Sequence, residues 1–237
     1  MSADVIAFDQ RHHSGHPASA PSKEGVIEVL YVDEHMLVLN KPSGLLSVPG
    51  RGPEKQDCLS ARAQRRYPDA LIVHRLDMQT SGLLAMARGI EAQRAINRAF
   101  EQRRVHKRYQ AVVDGIACVV GTDDWGVIDL PLELDWPNRP KHIVDFQNGR
   151  PSVTRWRVLS TDLAQNRTRL ELEPVTGRSH QLRVHLQAIG HPILGDDLYA
   201  SAEAAACVSR LLLHACELNL PHPVTGEEMV FVSPPPF

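Results

Sequence analysis

The sequence has few cysteines, and their spacing excludes several kinds of site. The four of them, Cys58, Cys118, Cys207 and Cys216, are scattered, and no C-x-x-C pair occurs. This spacing argues against a zinc ribbon, a dithiol redox motif and a disulfide framework. It favours a reducing cytoplasm as the location of the protein.

Long apolar runs and an excess of positive charge are also missing. No stretch approaches the roughly 18 apolar residues of a membrane span. The net charge of -2 does not by itself indicate a nucleic-acid partner. Residues 1–24 are rich in Pro, Ser, Gly and His and lack a basic region followed by an apolar run, so we expect a disordered leader without a secretory signal.

The rest of the chain is long enough and apolar enough to fold on its own. Of the 237 residues, 43% are hydrophobic, which is sufficient for a packed core. Because neither an internal repeat nor a domain-scale linker occurs, residues 25–237 are predicted to form a single domain.

The twelve histidines do not form a recognisable metal motif. His180 and His185 are five residues apart on a predicted helix, which places them about 140° apart around its axis, so they are poorly placed to chelate together. The sequence has no H-E-x-x-H motif or carboxylate-rich cluster. We therefore expect no metal and no paired catalytic carboxylates of the glycosidase kind.

The densest group of polar residues lies between two predicted strands, at 70–73 and 83–87. It reads His74-Arg75-Leu76-Asp77-Met78-Gln79-Thr80-Ser81-Gly82. A rigid sheet is expected to present Asp77 to a cleft, with Gly82 reversing the chain. From the residues alone, an Asp77 that only caps the turn is an equal alternative.

Two further segments are ambiguous from composition. Between Gln93 and Tyr109 the only acid is Glu101, against six basic residues: Arg94, Arg98, Arg103, Arg104, Lys107 and Arg108. This run is either a solvated helix face or a surface that follows a phosphate backbone. Residues 134–141 are rich in proline and contain Trp136, Arg139 and Lys141, so they form either a recognition loop or a stiff surface turn.

The hydrophobic pattern predicts a hairpin over 26–40 and helices over 59–67, over 90–104 and from Thr176 onwards. It predicts strands over 109–113, 127–130, 153–159, 168–172, 211–214, 217–220 and 229–232. In the last helix, Leu182 and Leu186 share an inward face, and Arg183 lies at the edge between the core and a cleft.

Several motifs, in order along the chain, resemble those of the RluA family of pseudouridine synthases. They are Asn40-Lys41-Pro42-x-Gly44, His74-Arg75-Leu76-Asp77-x-x-Thr80-Ser81-Gly82, Lys107-Arg108-Tyr109-Gln110-Ala111, Gly177-Arg178-x-His180-Gln181-Leu182-Arg183-Val184-His185, His191-Pro192-Ile193-Leu194-Gly195-Asp196 and Leu212-Leu213-His214-Ala215. The resemblance extends over nearly all of the chain from Val29 onwards.

The resemblance implies specific roles for residues. Asp77 is then the catalytic carboxylate, Tyr109 stacks on the target base, and Arg183 pairs with Asp77. Further substrate-binding candidates are His74, Arg75, Thr80, Lys107, Arg108, Arg178, Gln181 and His185. Arg75 is expected to fill the gap that a flipped uridine leaves in the RNA. The reaction needs no cofactor, because one carboxylate can act as nucleophile or base.

The resemblance also implies a fold and partners. We expect an α/β (α+β) catalytic domain with a mixed, largely antiparallel sheet and no additional S4 module. Segments 45–50 and 135–141 are similar to the dual-specificity branch of the family. That branch modifies structured RNA of two kinds, 23S ribosomal RNA and the anticodon stem-loop of a tRNA. A monomer in the cytoplasm is expected.

Two other function classes are kept as alternatives. One is a non-catalytic RNA-binding protein that uses the same cleft, which would have no reason to hold Asp77 near phosphates. The other is a metal-free hydrolase built on Ser47 or Ser81 with a histidine, although no nucleophile-elbow sequence is present.

Overall fold

A computed structural model describes residues 27–119 and 124–237 of the chain. The predicted leader, residues 1–24, lies outside the described residues. Within the described ranges no helix is both long and apolar enough to cross a membrane.

The described residues form twelve strands and four short α-helices. The strands are β1 Glu28–Val32, β2 Met36–Lys41, β3 Ala70–Ile72, β4 Ser81–Arg88, β5 His106–Asp114, β6 Gly126–Asp129, β7 Leu132–Leu134, β8 His142–Val144, β9 Val153–Asp162, β10 Arg167–Pro174, β11 Leu213–Pro221 and β12 Glu228–Val232. The helices are α1 Leu59–Arg66, α2 Ile90–Glu101, α3 Gln181–Ala188 and α4 Ala202–Ala206.

Ten of these strands form one sheet. Its order is β1-β2-β4-β11-β5-β10-β9-β6, with β12 paired to β11 and β3 paired to β4. The pairing of β4 with β11 is parallel, and the other pairs within this sheet are antiparallel. β7 and β8 form a separate hairpin. The predicted mixed, largely antiparallel α/β fold is confirmed.

The core lies on both faces of the sheet. Along β2, Leu37 and Leu39 belong to one buried cluster and Met36 and Val38 to the other, as the period of two in a strand requires. Ile96 of α2 packs in the second cluster. A strand buried on both faces reads as a continuous apolar run, which is why β2 and β4 are recognisable in the sequence.

Gly82 does not reverse the chain, contrary to the prediction. It is the second residue of β4 and lies opposite Ala215 of β11. Its φ is +110°, and a Cβ there would lie 2.3 Å from the Ala215 carbonyl oxygen, so only glycine lets the two strands approach. The reversal is made earlier, where the Thr80 amide donates to the Asp77 carbonyl at 3.2 Å.

The helix predicted from Thr176 begins only at Gln181. His180, immediately before it, has a φ of +56°, which a right-handed helix does not contain. Residues 176–180 therefore form a loop over the start of the helix. The inward face of α3 is as predicted, because Leu182 and Leu186 both belong to the larger buried cluster.

Candidate active site

A cleft of about 310 Å³ lies where four parts of the chain meet. Its walls come from the β3–β4 loop, the end of α2, strand β5, and the loop that leads into α3. Asp77, Tyr109 and Arg183, which are far apart in sequence, all line it. So do His74, Arg75, Thr80, Lys107, Arg178 and Gln181.

The loop that carries Asp77 is fixed by hydrogen bonds on both sides of that residue. On one side, Ser47 Oγ donates to the Leu76 carbonyl at 2.6 Å, and the Leu76 amide lies 3.1 Å from the same oxygen. On the other side, Lys41 Nζ donates to the Met78 carbonyl at 2.9 Å. The Asp77 side chain itself remains 26% exposed and faces the cleft.

Lys41 is fully buried and was not assigned a role from the sequence. Its Nζ donates to the carbonyls of Met78, Pro42 and Leu45, at 2.9, 2.9 and 2.6 Å. Burial lowers its pKa to about 7. Three backbone carbonyls around one ammonium join the loop after β2 to the Asp77 loop.

Arg183 is buried and makes its shortest contacts with a carboxylate that the sequence analysis did not single out. Its Nε and Nη2 both donate to Asp196 at 2.7 Å, and Nη2 lies 3.4 Å from Asp197. The contact with Asp77 is longer, 3.9 Å from Nη1. Burial acts to lower the pKa of Arg183, but the hydrogen bonds and charge of Asp196 outweigh it and the pKa is raised.

Tyr109 and Lys107 point into the cleft from β5, and Arg108 between them points away. Arg108 lies 3.5 Å from Glu171 on the other face of the sheet, because alternate residues of a strand point to opposite faces. Arg108 therefore does not line the cleft with Lys107 and Tyr109. Burial raises the pKa of Tyr109 well above its usual range, so its hydroxyl stays protonated.

Lys107 lies in the cleft on the sheet face that carries Tyr109, and among the described residues its charge is not compensated by a nearby carboxylate. Burial lowers its pKa. Its Nζ lies 5.9 Å from the centre of the Phe100 ring, and no acidic side chain pairs with it in the described part of the chain. An ammonium without a carboxylate partner favours the approach of an anionic group.

The three candidates from the β3–β4 loop differ in their freedom to bind a ligand. His74 Nε2 accepts from the Ala85 amide at 2.9 Å. Burial lowers the His74 pKa to about 3, so its imidazole is neutral. Thr80 is 3% exposed. Arg75 is exposed and donates to Ser179 Oγ, 2.8 Å away across the cleft mouth.

Gln181 lines the cleft, but both atoms of its side-chain amide are already hydrogen-bonded within the protein. Its Oε1 accepts from the Arg178 amide and Thr176 Oγ1, at 3.0 and 2.7 Å. Its Nε2 donates to Thr154 Oγ1 and the Val153 carbonyl, both at 3.0 Å. Gln181 therefore shapes the loop 176–180 and has no group left for a substrate.

His185, a predicted substrate-binding residue, does not line the cleft. It is fully buried, with Nδ1 2.9 Å from Thr154 Oγ1 and Nε2 3.0 Å from the Leu130 carbonyl. The helix period explains this, because a residue five positions from His180 faces another side. Arg178, by contrast, is exposed at the cleft.

His180 lines the cleft although it was not among the candidates. Its Nδ1 lies 2.7 Å from the Tyr199 hydroxyl. Burial lowers the pKa of His180, which favours the neutral ring. No pattern in the sequence predicts the positive φ of His180.

The hydrolase alternative is not supported by the geometry. Ser81 Oγ does lie 2.8 Å from His214 Nδ1, but both residues are at most 2% exposed and neither lines the cleft. Ser47 Oγ is hydrogen-bonded to the backbone of Leu76. Within residues 27–119 and 124–237, no group of three His, Cys, Asp or Glu side chains is arranged to hold a metal ion.

Comparison with known proteins agrees with this arrangement. The family model described as RNA pseudouridylate synthase matches residues 35–188. A protein of Escherichia coli O6:H1 named dual-specificity RNA pseudouridine synthase RluA is 50% identical, over 92% of this chain and 97% of its own. One of the same name from Yersinia pestis is 51% identical, over 86% of this chain and 96% of its own.

The fold of the chain is also similar to that of a solved structure. Human RNA pseudouridylate synthase domain containing 1 has a TM-score of 0.75 and 28% identity, and the alignment covers 92% of this chain and 87% of the human one. The matched family model includes Asp77, Tyr109 and Arg183. The chain belongs to the RNA pseudouridylate synthase family.

Proposed function

We propose that this protein isomerises uridine to pseudouridine in two structured RNAs, 23S ribosomal RNA and the anticodon stem-loop of a tRNA. The observation that carries the proposal is a single carboxylate, Asp77, held in a cleft whose charged neighbours are Arg75, Lys107, Arg178 and Arg183. The choice of two RNAs is supported by the curated relatives, which are named dual-specificity enzymes.

The isomerisation makes limited chemical demands on the protein. The bond between uracil N1 and ribose C1′ breaks, the base turns, and a bond forms between C5 and C1′. C5 loses its proton and N1 gains one, so no electrons are exchanged with a cofactor. An ionised Asp77 can serve as nucleophile at the sugar or as base.

Asp196 fixes the position of Arg183, and Arg183 in turn faces the Asp77 carboxylate. The bidentate pair with Asp196 uses Nε and Nη2 of the planar guanidinium and leaves Nη1 facing Asp77. Arg183 therefore supplies positive charge to Asp77 from a fixed direction. Asp196 is a positioning residue, which acts on the reaction through Arg183.

Tyr109 gives the target base a flat apolar surface. Its ring lines the cleft with only 7% of the residue exposed. Stacking of a base on an aromatic ring contributes about 1–3 kcal/mol. Its protonated hydroxyl is available for hydrogen bonding when the uracil turns.

The uridine has to leave the RNA stack before it can reach Asp77. Arg75 is exposed at the mouth of the cleft, where its contact with Ser179 is a single hydrogen bond that RNA can displace. We assign to Arg75 the space that the extruded base leaves. Arg178, also exposed at the cleft, is assigned to the adjoining phosphates.

The remaining proposals concern the whole chain. We propose that residues 25–237 are one catalytic domain, that residues 1–24 are a leader, and that the protein acts as a cytoplasmic monomer. The continuous ten-stranded sheet supports one domain. Sedimentation of the purified protein at working concentrations tests the monomer, and a dimer contradicts it.

The basic residues after α2 are predicted to set the salt dependence of RNA binding. Arg103 and Arg104 are exposed, directly past the end of α2, whose Phe100 lines the cleft. In a double Arg103→Gln/Arg104→Gln variant, each lost phosphate contact is expected to reduce the magnitude of the negative slope of log affinity against log salt by about 0.7–0.9. Tyr109→Leu is expected to weaken binding without changing the slope, because stacking releases no counterions.

A titration of stem-loop RNA between low and moderate salt measures both effects. The matched control is Arg65→Gln/Arg66→Gln. These two arginines are adjacent to each other on α1, are exposed and do not line the cleft. Equal slopes for the parent and the Arg103/Arg104 variant contradict the prediction. The basic run is then only a solvated helix face.

Asp196→Asn is predicted to slow the reaction while RNA affinity stays within a few-fold. The amide keeps the shape of the carboxylate but cannot accept both guanidinium nitrogens, and a small displacement of catalytic groups costs about a hundredfold in rate. The control is Asp197→Asn, whose side chain is 64% exposed and lies 3.4 Å from Arg183. Single-turnover rates and RNA dissociation constants are measured on both variants. A near-parental rate for folded Asp196→Asn contradicts the role of Asp196.

A further inference from the structure

Among the described residues, the two aromatic side chains most exposed to solvent lie in segment 131–150, which contains the β7–β8 hairpin. Trp136 is 66% exposed and Phe146 is 77% exposed. The other described Phe, Trp and Tyr side chains are buried or partly buried. Exposed aromatic residues that are concentrated in one place are typical of binding surfaces.

The turn between β7 and β8 does not need Trp136 for its shape. Its hydrogen bonds join Asp135, Asn138 and Lys141: the Asp135 amide donates to the Lys141 carbonyl at 2.9 Å, and Asn138 Nδ2 donates to Asp135 Oδ2 at 2.9 Å. In the described structure neither the Trp136 indole nor the Arg139 guanidinium makes a hydrogen bond. Both groups are therefore available to a ligand.

Trp136 and Arg139 already form a stacked pair. The guanidinium carbon of Arg139 lies 4.1 Å from the centre of the indole ring. Arg139 is exposed, so its charge remains accessible while it covers one face of the ring. An aromatic face next to an arginine is the combination that binds unpaired bases of RNA and their phosphates.

The hairpin is fastened to the wall of the cleft both beside its turn and at its base. The His142 amide donates to the Tyr199 hydroxyl at 2.8 Å, and that hydroxyl lies 2.7 Å from Nδ1 of the cleft residue His180. On the other side, His185 Nε2 lies 3.0 Å from the Leu130 carbonyl. The helix that carries Arg183 thus also fixes the direction of the hairpin.

We propose that the β7–β8 hairpin is a second RNA-contacting element, on which Trp136 stacks with an unpaired base near the target uridine. The inference rests on the proposed function, because the RNA must lie over the cleft beside the hairpin. RNA is favoured over a protein partner because Arg139 and Arg150 are exposed, while the acids Asp135 and Asp145 are engaged in turns.

Trp136→Ala tests the stacking contact directly. Loss of one stacked base is expected to weaken binding of a tRNA anticodon stem-loop by about five-fold to about 150-fold, without changing the salt slope. Arg139→Gln is expected to weaken binding and also to reduce the magnitude of the salt slope by about 0.7–0.9 for one phosphate contact. Trp136→Phe keeps an aromatic face and is expected to restore most of the affinity.

Leu163→Ala is the matched control. Leu163 is 78% exposed, in the turn after β9, about 30 Å along that strand from the end near the cleft. It is expected to bind RNA as the parent does. Thermal melting of all variants is compared, and nearly unchanged melting is expected, since the hydrogen bonds of the turn do not involve the Trp136 side chain.

The outcomes separate this inference from the proposed function. If the parent protein makes pseudouridine and Trp136→Ala binds and converts the stem-loop like the parent, the inference is overturned. The same holds if Trp136→Ala loses affinity only through a lowered melting temperature. If the parent makes no pseudouridine in any RNA, the proposed function fails, whatever the hairpin variants bind.

Discussion

Asp77→Asn is expected to abolish isomerisation while RNA binding stays within about tenfold of the parent. The amide is neutral and cannot act as nucleophile or base at C1′ or C5, whereas the basic groups that attract RNA are unchanged. Release of tritium from C5-labelled uridine measures the reaction. Activity above about one per cent of the parent contradicts the assigned role of Asp77.

A matched Asp-to-Asn change separates this effect from a general loss of charge. Asp69 pairs with Arg88 at 3.1 Å and does not line the cleft. Asp69→Asn is expected to retain near-parental tritium release. If Asp69→Asn were as inactive as Asp77→Asn, the loss would report damage to the fold instead of chemistry.

Arg183→Lys is expected to lower the rate by about a hundredfold or more, with the fold intact. Lysine keeps the positive charge but has one nitrogen, which cannot hold both oxygens of Asp196 and also face Asp77. Single-turnover rates report the chemical step, and circular dichroism with thermal melting reports the fold.

The corresponding control is Arg178→Lys. Arg178 is exposed at the same cleft, and its guanidinium makes only long contacts, 3.4 and 3.5 Å, with the Pro151 carbonyl. The single-turnover rate of Arg178→Lys is expected to stay within a few-fold of the parent rate. Arg178 is assigned a role that depends only on its positive charge, and lysine keeps that charge. A near-parental rate for Arg183→Lys means that the contact with Asp77 is unimportant.

The parts of the site that are local in sequence could be predicted. The polar stretch 74–81 between two apolar runs places Asp77 beside a sheet, and the structure has strands on both sides of it. The alternation of side chains along a strand also predicts which residues of β5 face the cleft. It separates Lys107 and Tyr109 from Arg108, a distinction that the motif resemblance alone did not make.

Other parts depend on contacts that no pattern encodes. Asp196 reaches Arg183 through an irregular loop after α3, so its spacing carries no periodic signal. The burial of Lys41 is equally hidden, because a lysine is normally exposed and here three loop carbonyls replace water. His185 is different, because the angle of about 140° between it and His180, which argued against joint chelation of a metal, also turns it away from the cleft.

We propose above all that this protein makes pseudouridine in both 23S ribosomal RNA and a tRNA. The most direct test is to map pseudouridine in RNA from cells that lack the protein, and from the same cells supplied with the parent protein or with Asp77→Asn. We expect specific uridines in 23S ribosomal RNA and in a tRNA anticodon stem-loop to be unmodified in the deletion. Their modification is expected to return with the parent protein and not with Asp77→Asn. Unchanged pseudouridine in the deletion, or restoration by Asp77→Asn, would contradict this proposal.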